Sequence, residues 1–456
     1  MRRSPKQFFY WLARLDGRVV FLLLFLLFFL KSRFTIDPDF GWHITSGRYI
    51  FEHGIPKTDI FTYTAAGFPW IHHEWLADVA NFLIYNFTGY TGLSVVYAVL
   101  WAAAFWLVAA PYRYKTLLVL AALVALPFAG VRAAAWTVFL LALLMVVMRQ
   151  SKKVRWVWAL PLMLLWANMH GSFIVGLVYL GFCWLKHQSW HTFLLLLVAC
   201  MVTLINPYGT ELYTEVFRTA GDTALHSRIG EWESFQLEIG LGILVGLWVV
   251  ARAVAGKQSS WRAFVHFDTV TLLLVLSASR HIPLFALASL PVILQSMGRS
   301  SSFWKLLDDK RIAGLGITVV ALAVTTLAYD GLQHIRLDPE SAYPRVAAQS
   351  LVTRPCTGNL FNDYNDGGYL IWRAPNQKVF IDGRMPSWRL NGKDYFAEYE
   401  RIIKDEQYRK EQFNAFRISC FLGAEKGSIT KHLIDDGWQT RVKDNGYMLL
   451  ERQLPR

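Results

Sequence analysis

No nucleotide-binding loop occurs in this sequence: it has neither a GxxxxGK(S/T) run nor a strand-linked GxGxxG. That argues against an ATP-driven pump and against the use of a nucleotide sugar at a Rossmann site. HExxH is also absent, because no second histidine follows Glu74 at the required spacing. No clear internal repeat of the kind that transporters carry is visible. There are 4 cysteines. Cys183 and Cys200 fall in apolar segments, as small core residues. Cys356 and Cys420 lie near the C-terminus, where a disulfide is allowed but not required. The start, Met1-Arg2-Arg3-Ser4-Pro5-Lys6, has the charge of a signal peptide. No small-x-small cleavage site follows, and the apolar run ends at Lys31-Ser32-Arg33, which reads as a retained first span.

What the chain has in abundance is apolar sequence. Of its 456 residues, 54% are hydrophobic and 15% aromatic, more than soluble domains ordinarily carry. These residues are grouped in long blocks such as Val19 to Leu30 and Phe193 to Ile205. Such blocks, extended by amphipathic ends, approach the ~20 residues that a helix needs to cross a bilayer. Hydropathy places about eleven spans, near 18–34, 91–110, 116–131, 133–148, 156–169, 172–186, 191–206, 238–255, 266–279, 282–298 and 312–330.

The formal charge is +13, and its distribution gives a better account of it than nucleic-acid binding does. Arg2, Arg3, Lys6, Arg14 and Arg18 precede the first span. Arg113/Lys115, Arg149/Lys152/Lys153/Arg155, Lys186, Arg252/Lys257/Arg262 and Arg299/Lys305/Lys310/Arg311 occupy alternate loops. The positive-inside rule makes that set cytoplasmic. An odd number of spans then puts the C-terminal residues outside. The expected architecture is a multi-pass α-helical membrane protein, residues 1–335 with a long first outer loop (34–90), followed by a small extracytoplasmic α/β domain over 336–456.

Polar residues gather on the outer side. Besides the first loop, the outer connections hold Arg132, Asn168-Met169-His170-Gly171, Asn206-Pro207-Tyr208-Gly209, Glu231-Trp232-Glu233 and Arg280-His281. Charged side chains at a membrane boundary are costly unless they face a cavity or each other, and a shared outward-opening cavity explains them together. In the first loop, apolar spacing predicts an interfacial amphipathic helix over 40–52 and a second helix after Pro69, with Trp75, Leu76, Val79 and Phe82 on its apolar face. Asp37 and Asp39 admit three roles: oxygen ligands for a divalent cation, a general base, or a cap for the following helix. Adjacent histidines on a helix point about 100° apart, so His72 and His73 do not easily share an ion. Hydrogen-bonding or substrate-contact roles suit His72, His73 and Glu74 better.

The layout resembles the GT-C superfamily of membrane glycosyltransferases, which use polyprenyl-phosphate-linked sugars and include protein mannosyltransferases, aminoarabinose transferases and oligosaccharyltransferases. The resemblance rests on an acid just beyond span one, a long first outer loop, many spans and a C-terminal extracytoplasmic domain. A closer pattern, shared with a bacterial branch of GT-C-like proteins, runs through Asp37-Pro38-Asp39-Phe40-Gly41-Trp42-His43, Gly67-Phe68-Pro69-Trp70, His73-Glu74-Trp75-Leu76, Ala167-Asn168-Met169-His170-Gly171, Asn206-Pro207-Tyr208-Gly209, Arg280-His281-Ile282-Pro283-Leu284-Phe285, Asn362-Asp363-Tyr364, Gly367-Gly368-Tyr369-Leu370 and Ile381-Asp382-Gly383-Arg384. In the mannosyltransferase and aminoarabinose-transferase families the loop acid is followed by Glu, with Tyr four positions after the acid. Here Asp39 fits the acid, Phe40 replaces the Glu and His43 stands where the Tyr would.

The resemblance implies sugar transfer from a polyprenyl-phosphate donor to a glycan, lipid or protein acceptor at the outer face of a bacterial inner membrane. Asp39, or Asp37, would activate the acceptor. Arg280, Arg132 and His281 would meet the donor phosphate. His43, His73, Glu74, His170 and Asn168 would line the sugar pocket. Asp37 and Asp39 are the candidate ligands of a divalent cation, Mg or Mn. A lipid transporter and a non-catalytic scaffold are the competing classes.

From about Asp338 the composition becomes charged and nearly balanced. Short β-like runs are expected at Gly358–Phe361, Tyr369–Trp372, Lys378–Ile381, Ile418–Phe421 and Tyr447–Leu450, with helices over 394–404, 406–414 and Lys431–Asp436. Asn362 to Gly368 lacks the spacing and terminal Glu of a calcium loop and reads as a turn into a strand at Tyr369. Asp382-Gly383-Arg384 is expected to follow a strand and to contact the acceptor.

Overall fold

A computed structural model describes residues 17–112, 116–230, 239–255, 265–297 and 338–453. The expected span 312–330, the Glu231-Trp232-Glu233 segment and the basic loop from Arg299 to Arg311 lie outside the described residues. The chain divides into two compact units, one of residues 1–35, 90–216 and 229–335, the other of 36–89, 217–228 and 336–456.

The first unit is helical. Each expected span up to 282–298 coincides with a helix: Gly17–Phe34, the later part of Trp75–Ala109, Thr116–Ala125, Ala134–Val147, Lys152–Met169, Phe173–His187, Trp190–Val202, Ile239–Ala255, Phe267–Ser277 and Ile282–Met297. Among the described residues, Trp75–Ala109 alone is long and apolar enough by length and composition to cross a membrane, and several others are shorter apolar helices. Gly89, at φ 64° and ψ −170°, breaks the helical path within Trp75–Ala109, a backbone state that glycine adopts without steric cost. Apolar side chains such as Leu197, Met201, Leu273 and Leu276 are exposed on the outside of this unit. Inside it, Asp268 is buried, accepting hydrogen bonds from Trp248 Nε1 at 2.6 Å and Arg252 Nε at 3.0 Å. Satisfying a charge within an apolar bundle in this way avoids the penalty of leaving it bare.

The second unit is α/β. Its four-stranded sheet has the order β1-β4-β6-β5, with β1 Asn359–Asn362, β4 Ile418–Ala424, β5 Gln439–Asp444 and β6 Tyr447–Glu451. β1 and β4 are parallel, and the other two pairings are antiparallel. A small hairpin joins β2 Arg389–Leu390 and β3 Lys393–Asp394. Ile418 to Gly423 are all buried, as suits a central strand covered on both faces. Asn445 and Gly446 both have positive φ, the Asn-Gly chemistry that a tight β5–β6 hairpin requires. Asp394 and Asp405 accept from the backbone N–H groups of Ala397 and Tyr408, each at 2.9 Å, and so start helices Tyr395–Lys404 and Glu406–Ala415. A disulfide joins Cys356 to Cys420, 64 residues apart. Closing a loop of that length is worth about 4 kcal/mol in the chain-entropy picture.

Three expectations are corrected. Tyr369–Trp372 is not a strand but part of a helix, Gly367–Arg373. Lys378–Ile381 forms no named strand; Val379 bridges Thr62 in parallel, Val379 N–H donates to Phe61 O at 3.2 Å, and the Asn362 side chain holds Phe380 N and Ile381 O, both at 2.8 Å. The first loop therefore packs with the C-terminal residues, and Asp382 does not follow a strand. The Phe40–His53 helix does not spend its apolar side on a membrane surface, since Phe40, Trp42, Ile44 and Ile50 are buried within the protein.

That burial depends on backbone touching backbone. Helices Phe40–His53 and Gly367–Arg373 pack together. A Cβ on Gly41 would lie 2.1 Å from Gly368 O, and one on Gly368 would lie 2.2 Å from Pro38 O. Any side chain forces these helices apart. Gly41→Ala should lower stability by about 1–3 kcal/mol through overpacking, measured by thermal unfolding in detergent. Gly181→Ala, where the added carbon meets nothing within 4 Å, should not; equal loss from both would contradict the close-crossing account.

Candidate functional site

The site forms where the Phe40–His53 helix crosses the start of the Trp75–Ala109 helix. Gly47 sets their distance, because a Cβ there would sit 2.0 Å from Asp78 O. One turn earlier on the first helix, His43 Nδ1 reaches Asp78 Oδ1 at 2.6 Å. The other carboxylate oxygen, Oδ2, lies 2.8 Å from His72 Nε2, which is also 2.9 Å from Ser46 Oγ. An ionised carboxylate only accepts, so Asp78 fixes a proton on each of these imidazole nitrogens. Towards the surface, Glu74 lies 3.5 Å from His43 Nε2 and 3.4 Å from His73 Nε2. Side-chain exposure is 0% at Asp78, 14% at His43, 11% at Glu74 and 40% at His73. The four side chains run from the buried Asp78 to the partly exposed His73.

The two histidines differ in charge. Burial pushes His43 down, but the Asp78 carboxylate, by charge and hydrogen bond, and then Glu74 and Asp39 outweigh it and raise it to about 9. Burial dominates at His72 and lowers it despite Asp78. His43 is thus the imidazolium at neutral pH and His72 the neutral ring. Stacking supports both: Trp42 lies over His43 with ring centroids 3.6 Å apart, and Trp70 over His72 at 4.5 Å.

Asp39 borders this cluster. Its Oδ1 accepts from Trp42 Nε1 at 2.9 Å, and the carboxylate lies over Gly383, where a Cβ would meet Oδ1 at 1.7 Å. Asp37 Oδ1 accepts the Asp39 amide at 2.9 Å. Asp39 occupies the N-cap position of the helix but makes no side-chain cap bond. Among the described residues, one group of three side chains, His43, Glu74 and Asp78, has its candidate ligand atoms within 4.8 Å of one another. One imidazole and two carboxylates make a donor set that suits a divalent ion such as Mn or Zn.

No protein-family model and no curated protein matches the chain by sequence. Solved structures do match in fold. ArnT from Cupriavidus metallidurans, bound to undecaprenyl phosphate, aligns over 95% of this chain and 97% of its own, at 12% identity and a TM-score of 0.55. The oligosaccharyltransferase AglB from Archaeoglobus fulgidus, in complex with an inhibitory peptide and a dolichol-phosphate, aligns over 89% of this chain and 69% of its own, at 11% identity and a TM-score of 0.55. The Archaeoglobus fulgidus oligosaccharyltransferase in its apo form aligns over 90% and 69%, at 12% identity and a TM-score of 0.56.

The chain shares its overall fold with these structures. Within it, the residues picked from sequence fall into two sets. Asp37, Asp39, His43, His73, Glu74, Asp382 and Arg384 belong to the α/β unit; Arg132, Asn168, His170, Arg280 and His281 belong to the helical unit. Arg280 and His281 form a single turn between two helices. His170 Nδ1 accepts the Ser172 N–H at 3.1 Å and lies 3.0 Å from Thr137 Oγ1, which places its ring proton on Nε2. Asn168 is buried and its amide donates to Leu164 O at 2.9 Å and Ile205 O at 3.0 Å. It ties its helix to the next connection and leaves little for a sugar.

Asp382 and Arg384 are corrected most. Rather than facing an acceptor, Arg384 has a side chain only 3% exposed and pairs with Asp382 at 2.6 Å and Asp59 at 2.8 Å. Its guanidinium carbon sits 4.5 Å from the Trp70 ring centre, 4.9 Å from Phe61 and 5.0 Å from Trp388, a cation–π enclosure. Asp78 and Asp59 were missed from sequence. Asp78 lies one turn after Glu74 on the same helix face, and that spacing was the available signal. Asp59 gave none.

Asp78→Asn should cost about 3–5 kcal/mol at pH 6, as expected when one partner of a buried pair is removed. Because His43 is raised, its contribution is full below about pH 6.5 and is lost as pH rises through about 9. The gap between wild type and variant, measured by denaturant unfolding in EDTA, should therefore narrow between those pH values. A gap constant from pH 6 to 10 would contradict the charged His43–Asp78 pair.

Proposed function

We propose that this protein is a membrane glycosyltransferase that moves a sugar from a polyprenyl-phosphate-linked donor to an acceptor outside the cytoplasm. The observation that carries the reading is the buried Asp78 carboxylate with His43 and His72 on its two oxygens, bordered by Asp39, in a fold shared with structures bound to undecaprenyl phosphate and dolichol-phosphate. The Cys356–Cys420 disulfide supports an oxidising compartment for the α/β unit. The apolar helices and alternate basic loops support membrane insertion with a cytoplasmic N-terminus, and a bacterial inner membrane is proposed from the family resemblance alone.

In this reading the acceptor oxygen or nitrogen forms the new bond to the sugar's anomeric carbon, the anomeric carbon–oxygen bond to phosphate breaks, and the polyprenyl phosphate leaves with the electron pair. His43 is protonated at neutral pH and so does not serve as the base. Asp39 takes the acceptor's proton. Arg132, Arg280 and His281 in the helical unit are proposed to stabilise donor phosphate charge, and His73 and His170 to contact sugar. A divalent cation at His43, Glu74 and Asp78 would first have to displace the His43 proton, since a ligating imidazole is neutral, and would then supply positive charge at that place.

The test is a transfer assay in nanodiscs with a panel of polyprenyl-phosphate sugars and membrane extracts, with and without EDTA. Asp39→Asn should lower transfer by about 10²-fold or more, the usual scale for a general base, while the protein stays folded. Full activity in Asp39→Asn would remove that role. No transfer and no donor binding, with a control transferase active, would overturn the enzyme reading in favour of a transporter or scaffold.

A further inference from the structure

The α/β unit has a second concave surface that the proposed chemistry does not use. A cleft of about 800 Å³ lies between helices Glu406–Ala415 and Ser428–Asp435 and the strands β5 and β6. That volume is in the range of small-molecule sites, about 300–1,000 Å³. Its wall contains Arg354, Arg409, Lys410, Arg441 and Arg452 against two carboxylates, Asp436 and Glu451.

Three of these arginines are held in place by hydrogen bonds to neutral acceptors. Arg409 Nη1 donates to Ile402 O and Ile403 O, both at 3.2 Å. Arg452 donates from Nε to Ile418 O and from Nη2 to Phe413 O, both at 2.9 Å, with its guanidinium 4.9 Å from the Trp438 ring centre. Arg441 donates from Nε to Ser350 Oγ at 3.0 Å and from Nη2 to Ser350 O at 2.5 Å and to Arg354 O. Every acceptor is neutral. These bonds orient each fork; the remaining counter-charge comes from carboxylates, Asp405, Glu406 and Asp436 acting on Arg409 and Glu451 on Arg441, while Arg354 pairs with Glu451 and Lys410 with Glu406 at 2.9 Å and Asp436 at 3.2 Å.

The Arg441 side chain is only 5% exposed, its Nη1 has no hydrogen-bond partner, and Glu451 Oε2 lies 4.0 Å from it. A buried donor on a charged group without a partner costs free energy. Burial depresses Arg409, Arg441 and Arg452 alike, and Arg354 adds to the effect at Arg441. An oxyanion placed in the cleft would relieve all of these costs together, since carboxylate and phosphate oxygens match the guanidinium fork.

We propose that this cleft is a binding site for an anionic ligand of saccharide size, one that carries phosphate or carboxylate groups. The Trp438 and Phe413 rings, 5.9 Å apart edge to face, give it an apolar floor beneath the charged wall. The site stands on the α/β unit alone and does not rest on the transferase reading.

The experiment is calorimetric titration of the full chain in nanodiscs of zwitterionic lipid. Inorganic pyrophosphate is one probe and a glucuronate-containing disaccharide the other, and the two arms tell a phosphate source from a carboxylate source. Saturable binding of at least one probe is expected, weakened about tenfold or more in the double variant Arg354→Gln/Lys410→Gln. Those side chains are 63% and 46% exposed, so the fold should tolerate their loss, and an unchanged melting temperature checks it. Lys426→Gln, exposed and outside the cleft, should leave binding unchanged. Failure of both probes to bind would overturn the proposal. So would binding that survives the double variant, or that Arg280→Gln in the helical unit abolishes instead.

Discussion

The Arg384 guanidinium is the contact on which the α/β unit depends. It lies between Asp59 of the first loop and Asp382 of the C-terminal residues, walled by Trp70, Phe61 and Trp388. In water such a triad would contribute little. Removed from solvent it becomes obligatory, because losing any member leaves an uncompensated buried charge, at a cost of about 3–5 kcal/mol. The loop that carries His72, Glu74 and Asp78 is thereby tied to residues far away in sequence. The Thr62–Val379 bridge and the Tyr63 O–H bond to Leu360 O at 2.8 Å continue the same seam.

Glycine supplies the complementary constraint. Gly41, Gly47, Gly368 and Gly383 each admit another segment's backbone or carboxylate where a side chain would stand. Two of these approaches bear directly on the site. Gly47 brings the Phe40–His53 helix close enough for His43 to reach Asp78, and Gly383 admits the Asp39 carboxylate. The proposed chemistry is therefore set by packing: the positions of an imidazolium and a carboxylate follow from how closely two helices cross. Such rigid placement is what electrostatic stabilisation of a transferring group requires.

Much of the helical unit was legible in the sequence, because apolar blocks must become helices when their backbone groups have no other partner. The resemblance to GT-C proteins was also legible, through motifs spread along the chain. The α/β unit was harder. Tyr369-Leu370-Ile371-Trp372 has the composition of a strand, yet Gly367 and Gly368 allow a helix to press against Phe40–His53, and packing overrode propensity. β5 (Gln439–Asp444) was not seen because an edge strand of polar residues carries no apolar alternation. Arg384 read as an exposed binding residue because its partner Asp59 lies in a loop whose pairing no local pattern announces. Asp78 was hidden among the apolar residues of its helix.

The central claim is that the first loop and the C-terminal residues form one cooperative body pinned by Arg384. Hydrogen exchange, read by mass spectrometry on the full chain, tests it directly by comparing wild type with Arg384→Gln. The account predicts that amides in 59–80 and in 379–388 lose protection together in the variant, while those in 134–202 of the helical unit do not change. Loosening confined to 379–388, with 59–80 as protected as before, would contradict it.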